Sequence, residues 1–209
     1  MLELTQWQFL KHIIFRPFEG YEDLRWKKSG SMAISWGIVV LLFLERFFYE
    51  RFYGFQYYAS YDKIFNIIPL FFQSFILFLM WVIANWAMCT LFDGEGTVKR
   101  IFVNSAYALV PFIVSSFIGI FLSHFLIMEE YVFIQIIGVV GFAWSLLLMI
   151  SGIKTVHQFG IWKTLSLMLL TLIAMVAMLF LIILLLTLFQ QMLIFVLSIY
   201  TELSYRIRV

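Results

Sequence analysis

Polar chemistry in this 209-residue chain concentrates in one short stretch, Cys89-Thr-Leu-Phe-Asp-Gly-Glu-Gly-Thr97, set between two long apolar segments. Asp93 and Glu95 place two carboxylates one residue apart, with Gly94 between them and Gly96 after. That fragment resembles part of a calcium loop, but the spaced Asp/Asn ligands and terminal Glu of such a loop are absent. The reading that fits is a tight turn, in which Gly94 and Gly96 supply backbone freedom and Asp93 or Thr97 caps the next helix. No His-Glu-x-x-His helix, Gly-x-Ser-x-Gly elbow or phosphate-binding Gly-x-x-x-x-Gly-Lys-Ser/Thr loop occurs elsewhere. His12, His124 and His157 fall on different segments, and Cys89 is the single cysteine, which excludes a paired-cysteine site and an intramolecular disulfide. The sequence therefore assigns no catalytic residue, no metal ligand and no cofactor.

A second constellation lies just downstream. Asn104, Tyr107, Pro111 and Ser115 recur at steps of three, four and four, which puts them on one helical face. In a membrane that face turns inward, because an amide or hydroxyl aimed at lipid has no hydrogen-bond partner. Gly138, Gly141, Ser145 and Gly152 form a small-residue stripe that admits a neighbouring helix, and Ala174 and Ala177 offer a shorter one. Ionisable residues, the usual mark of coupled transport, are expected only near helix ends. Glu45 and Arg46 are read at the outer end of the first span, with Arg46 and Glu50 spaced to pair. An uncharged path lined by Gln73, Asn85 or Asn104 remains the alternative.

The elements that carry these residues follow from composition. With 64% hydrophobic and only 12% charged residues, against about 25% charged in soluble domains, the chain is an all-α polytopic membrane protein. Five segments reach the roughly 20 apolar residues that a crossing requires: 31–48, 64–91, 101–127, 131–153 and 161–189. Placing the N-terminus inside puts nine Lys and Arg on the cytoplasmic side and five outside, so the positive-inside rule favours N-in and C-out. Residues 190–209 are then an extracytoplasmic tail or helix extension. A sixth crossing would improve the charge split, but the apolar run from Met192 to Tyr200 is too short to span.

Residues 1–30 form a cytoplasmic segment without a signal-peptide pattern. Leu4, Trp7, Leu10 and Ile14 mark a helix lying in the membrane interface, ended by Arg16-Pro17. The following stretch leads to a Trp26-Lys27-Lys28 anchor beneath the first span. Between spans one and two, nine of the fifteen residues 47–61 are aromatic. They suit an interfacial belt, with sugar stacking as the bolder alternative.

Asn85-Trp86, Phe92-Asp-Gly-Glu-Gly-Thr, Ile101-Phe and Tyr107-Ala-Leu-Val-Pro111 resemble the second loop and third helix of the Yip family, the Ypt/Rab-interacting membrane proteins. Phe15-Arg-Pro-Phe-Glu-Gly-Tyr, followed by Lys27-Lys28-Ser-Gly-Ser, resembles the N-terminal approach of bacterial members. The resemblance implies a five-span architecture more than an activity. Eukaryotic members carry a longer cytosolic N-terminal region and contact prenylated Rab GTPases. This sequence starts without that region, which points to a bacterial cell-membrane member. Some bacterial relatives are encoded beside sugar-uptake ABC transporters, including clusters for rhamnogalacturonan. The resemblance thus implies a non-enzymatic scaffold or accessory that contacts the bilayer and other membrane proteins, such as a sugar ABC transporter, or a second copy of itself. No nucleic-acid partner is expected at a net charge of +2. A small-molecule or lipid transporter is the alternative, and Asp93, Gly94, Gly96, Asn104, Tyr107 and Pro111 are the candidate interaction loop and inward face.

Overall fold

A computed structural model describes residues 6–27, 30–57 and 65–208, and among these there is no β-strand. The chain builds α1 (Gln6–Phe15), α2 (Pro17–Lys27), α3 (Met32–Phe52), α4 (Ile67–Phe71), α5 (Leu77–Leu91), α6 (Val98–Ala108), α7 (Val110–Leu122), α8 (Tyr131–His157) and α9 (Ile161–Arg208). Five stretches are long and apolar enough to cross a bilayer: Met32–Phe52, Ile67–Leu91, Val98–Leu122, Met128–His157 and Ile161–Leu203. The molecule is therefore the expected all-α, multi-span bundle.

Helix ends depart from the hydropathy boundaries wherever a local hydrogen bond sets them. Thr97 caps α6 by accepting from the Arg100 N–H at 3.4 Å, so the third span starts at Val98. The fourth continues past Ile153 to His157, where Gln158 in left-handed geometry (φ 58°) ends it. Inside the third span, Pro111 supplies no N–H to the helix. The helix breaks at Leu109, whose N–H bonds to Ala106 O at 3.1 Å, dividing the span into α6 and α7. Near Pro69 the second span changes from α4 into a π-turn at Phe72–Ile76 before resuming as α5. Beyond Phe189 the chain stays helical to Arg208, the helix extension that is one of the two readings of 190–209.

The N-terminal segment is a helical hairpin docked on the bundle, not a single helix floating on it. Arg16 separates the two helices and Pro17 opens α2, the first-turn position where its missing N–H costs nothing. The stretch expected to be a connector is thus mostly helix. Phe9, Ile13 and Tyr21 are fully buried and join Val39, Ile101 and Tyr107 in one core. The indole of Trp144 in α8 donates to Ile14 O at 3.0 Å. Packing wins over flotation because these side chains find protein rather than lipid on their apolar face. Leu4 lies outside the described residues, as do the side chains of Trp7 and of the Trp26-Lys27-Lys28 anchor.

α8 lies against α2, α6 and α7, whereas α9 packs chiefly on α5. The small-residue stripe of α8 accounts for the close fit. A Cβ on Gly141 would overlap the Ser115 hydroxyl, Gly152 faces the Tyr21 ring, and Gly138 has no such neighbour. Ala177 is exposed.

Candidate functional site

The polar loop at 92–97 is clamped by the turn between α8 and α9. His157 is buried against it, 1% exposed, and the Gly96 N–H donates to its Nδ1 at 3.3 Å. Nδ1 is therefore the acceptor, and the ring proton sits on Nε2, which has no hydrogen-bond partner. Phe159 stacks on the imidazole at 5.4 Å between centroids, with 14° between planes. Lys163 donates to Phe92 O at 2.8 Å, its ammonium 4.2 Å from the Phe159 ring centroid.

This arrangement corrects the role given to the glycines. Neither adopts positive φ; Asp93 does, at 61°. Gly94 and Gly96 are instead required by close approach, since a Cβ on either would overlap the His157 ring. The helix cap comes from Thr97. Asp93 and Glu95 are exposed, and among the described residues no group of three metal-ligating side chains forms.

Most of the inward face is taken up by hydrogen bonds within the chain, while the buried Asn104 Oδ1 has no partner. Asn104 Nδ2 donates to Gly152 O at 3.2 Å, and Asn104 O accepts from the Tyr21 hydroxyl at 3.4 Å. Burial pushes the Tyr21 phenol well above its ordinary pKa, so it stays a neutral donor. The Tyr107 hydroxyl accepts from the Ser31 N–H at 3.2 Å, tying the start of α3 to α6. Ser145 Oγ accepts the Phe112 N–H at 2.9 Å, a backbone donor left without its usual helical partner beside the α6–α7 break. Pro111 is half-buried. The face and the loop are distinct: one binds α2, α3 and α8, the other the α8–α9 turn.

Three features escaped the hydropathy reading. Glu45 is fully buried rather than at the rim. Its Oε1 accepts from Ser116 of α7, and its Oε2 lies 3.5 Å from the Arg46 guanidinium, which sits over the Phe112 ring. No signal in the sequence marked this, because Glu45 stands only three residues before the end of the span read as 31–48. Asn85 donates to Thr171 Oγ at 3.3 Å and joins α5 to α9. Lastly, a cavity of about 650 Å³ lies between α5, α7, α8 and α9, lined by Trp81, Phe112, Phe142, Met149, Met168 and Leu172 among others, almost wholly apolar.

At the opposite end, the aromatic loop is described as far as Tyr57. The Tyr57 hydroxyl reaches the carbonyls of Leu126 and Ile127, both at 2.8 Å, and its ring stacks on Tyr131 at 5.2 Å. Gly54 N–H donates to Ser123 Oγ at 2.8 Å. These rings brace the α7–α8 turn; Tyr58 and Tyr61 lie outside the described residues.

The fold defines a polytopic helical membrane protein. The Yip1 domain matches residues 11–185, and the chain belongs to that family. No curated protein and no solved structure matches it significantly.

Proposed function

We propose that this Yip-family protein is a non-enzymatic scaffold or accessory in a bacterial cell membrane, with the N-terminal hairpin and the 92–97 loop on the cytoplasmic side and the end of α9 outside. The observation that carries the reading is the internal use of the inward face. Asn104, Tyr107 and Ser145 spend their hydrogen bonds on α2, α3, α7 and α8, which supports a rigid framework rather than a polar route. The large cavity is almost wholly apolar, which suits an acyl chain more than a hydrophilic solute. Lys99, Arg100, Lys154 and Lys163 gather at the loop end and support the proposed orientation.

The partner class rests on the resemblance: other membrane proteins, with a sugar ABC transporter and rhamnogalacturonan-type uptake as the specific form. Mild-detergent isolation from native membranes tests it. A stoichiometric transporter or glycan-processing partner supports the accessory role, and its absence in crosslinked membranes refutes it. A second reading, a small-molecule or lipid transporter, draws on buried oxygens that lack hydrogen bonds, Glu45 Oε2, Asn85 Oδ1 and Asn104 Oδ1. Flux in liposomes that disappears in Asn104→Leu, while the variant keeps its fold, would favour it over the scaffold.

A further inference from the structure

The tip of the N-terminal hairpin is registered against the middle of a crossing helix. Trp144, whose indole donates to Ile14 O at 3.0 Å, stands thirteen residues from each end of α8 (Tyr131–His157). Tyr21, on the other arm, lies against Gly152, eight residues nearer the end of α8 that meets the 92–97 loop. The hairpin therefore points its 15–18 turn toward the membrane centre. Tyr131 stacks on Tyr57 in the aromatic belt of the opposite interface, and thirteen residues of helix cover about 20 Å. A hydrocarbon core of about 30 Å thus extends roughly 10 Å past Trp144, and the tip lies within it.

The surface of the hairpin changes character at that depth. Phe15 and Phe18 are 69% and 59% exposed. Each shares a helical face with an exposed charged residue one turn nearer the base, Lys11 on α1 and Glu22 on α2. The long stem of Lys11 lets its ammonium reach water, and Arg16 turns its guanidinium back along α2 to Glu19 at 3.3 Å. Phe18 is the shallower ring, with the Lys154 ammonium 6.0 Å from its centroid. The backbone is provided for as well. Where α1 ends, its last carbonyls lose their helical donors, and lipid offers none. The Trp144 indole supplies one to Ile14 O, and the Gly20 N–H donates to Arg16 O at 2.8 Å. Val140 and Leu147, which flank Trp144 on its own face of α8, are exposed too, so this layer of the surface faces lipid.

We propose that the hairpin tip is a re-entrant lipid anchor, with Phe15 and Phe18 seated among the acyl chains of the leaflet on the 92–97 side and the charged base of the hairpin among its headgroups. The face that carries Phe9, Ile13 and Tyr21 stays on the bundle, so one side of the hairpin meets protein and its end meets lipid. The insertion holds whichever proteins the scaffold engages.

Nitroxide labels on Phe15→Cys, Phe18→Cys, Lys11→Cys and Glu22→Cys, each in a Cys89→Ala background and reconstituted in phosphatidylcholine vesicles, read the depth. Collision with a polar nickel chelate should be about tenfold rarer at positions 15 and 18 than at 11 and 22, because hydrocarbon excludes the polar reagent. Collision with oxygen should be at least as frequent at the tip. Equal chelate access at all four positions places the tip in water and overturns the proposal. So does exclusion of oxygen together with the chelate, because that puts protein rather than lipid over the tip. The unsubstituted chain gives an independent reading. In vesicles whose phosphatidylcholine carries a diazirine midway along one acyl chain, irradiation should leave adducts on the 15–18 peptide; adducts confined to α3, α5 and α7–α9 refute the insertion.

Discussion

Replacing Gly96 with alanine probes the loop clamp most directly. The added Cβ would fall 2.7 Å from both His157 Nε2 and Val156 Cγ1, and nearer still to His157 Cε1. The imidazole cannot swing aside freely, because Phe159 stacks on it and the Gly96 N–H holds its Nδ1. Overpacking of this kind costs about 1–3 kcal/mol. For a chain of this size each kcal/mol lowers Tm by roughly 2–4 °C, so the variant should melt about 2–12 °C lower in detergent. His157→Ala vacates the space but loses the stacked ring and the hydrogen bond. In that background Gly96→Ala should cost less by at least about 1 kcal/mol. The Val156 contact survives, so some cost remains. A double-mutant cycle read by thermal unfolding measures the difference. Equal costs in both backgrounds, or a neutral Gly96→Ala, would show that the glycine is not held by the histidine and refute the clamp.

Other sites give shorter tests. Ile13→Ala should destabilise by about 2–4 kcal/mol and increase proteolysis within 1–30, whereas a hairpin merely resting on lipid would show neither. Glu45→Gln, which keeps an acceptor for Ser116, should cost clearly less than Glu45→Ala, which strips Ser116 of its acceptor and the part-exposed Arg46 of its partner and should cost about 1–3 kcal/mol; similar melting temperatures for the two would sink this ordering. Asn104→Leu should lose about 0.5–1.5 kcal/mol by removing the amide's hydrogen bond to Gly152 O, without altering any solute flux in liposomes. Tyr57→Phe should lower Tm and leave oligosaccharide binding by the purified protein unchanged, and altered sugar binding would revive the stacking alternative.

Much of the fold was legible in the sequence because lipid makes simple demands. A run of about 20 apolar residues must be helical to satisfy its backbone, so the five crossing segments were visible from hydropathy. Helical spacing put Asn104, Tyr107, Pro111 and Ser115 on one face; in the structure Asn104, Tyr107 and Ser115 are buried and Pro111 is half-buried. Pro111 and Pro69 marked irregular helix, though not its form as a break at Leu109 and a π-turn at Phe72–Ile76.

What hydropathy could not reveal was which surfaces meet each other. Gly94 and Gly96 read as turn residues until His157, some sixty residues on, was seen against them. Glu45 read as a rim charge because its neighbours are aromatic and charged, and only the position of Ser116 on α7 made it a buried carboxylate. The N-terminal helices read as interfacial because an amphipathic face looks the same whether it meets lipid or protein. Sequence alone thus determined that this chain is a bundle of membrane helices of the Yip family. Tertiary structure decided that its polar groups bind one another, because a hydrogen bond depends on distance in space and the residues that form it here lie tens of positions apart.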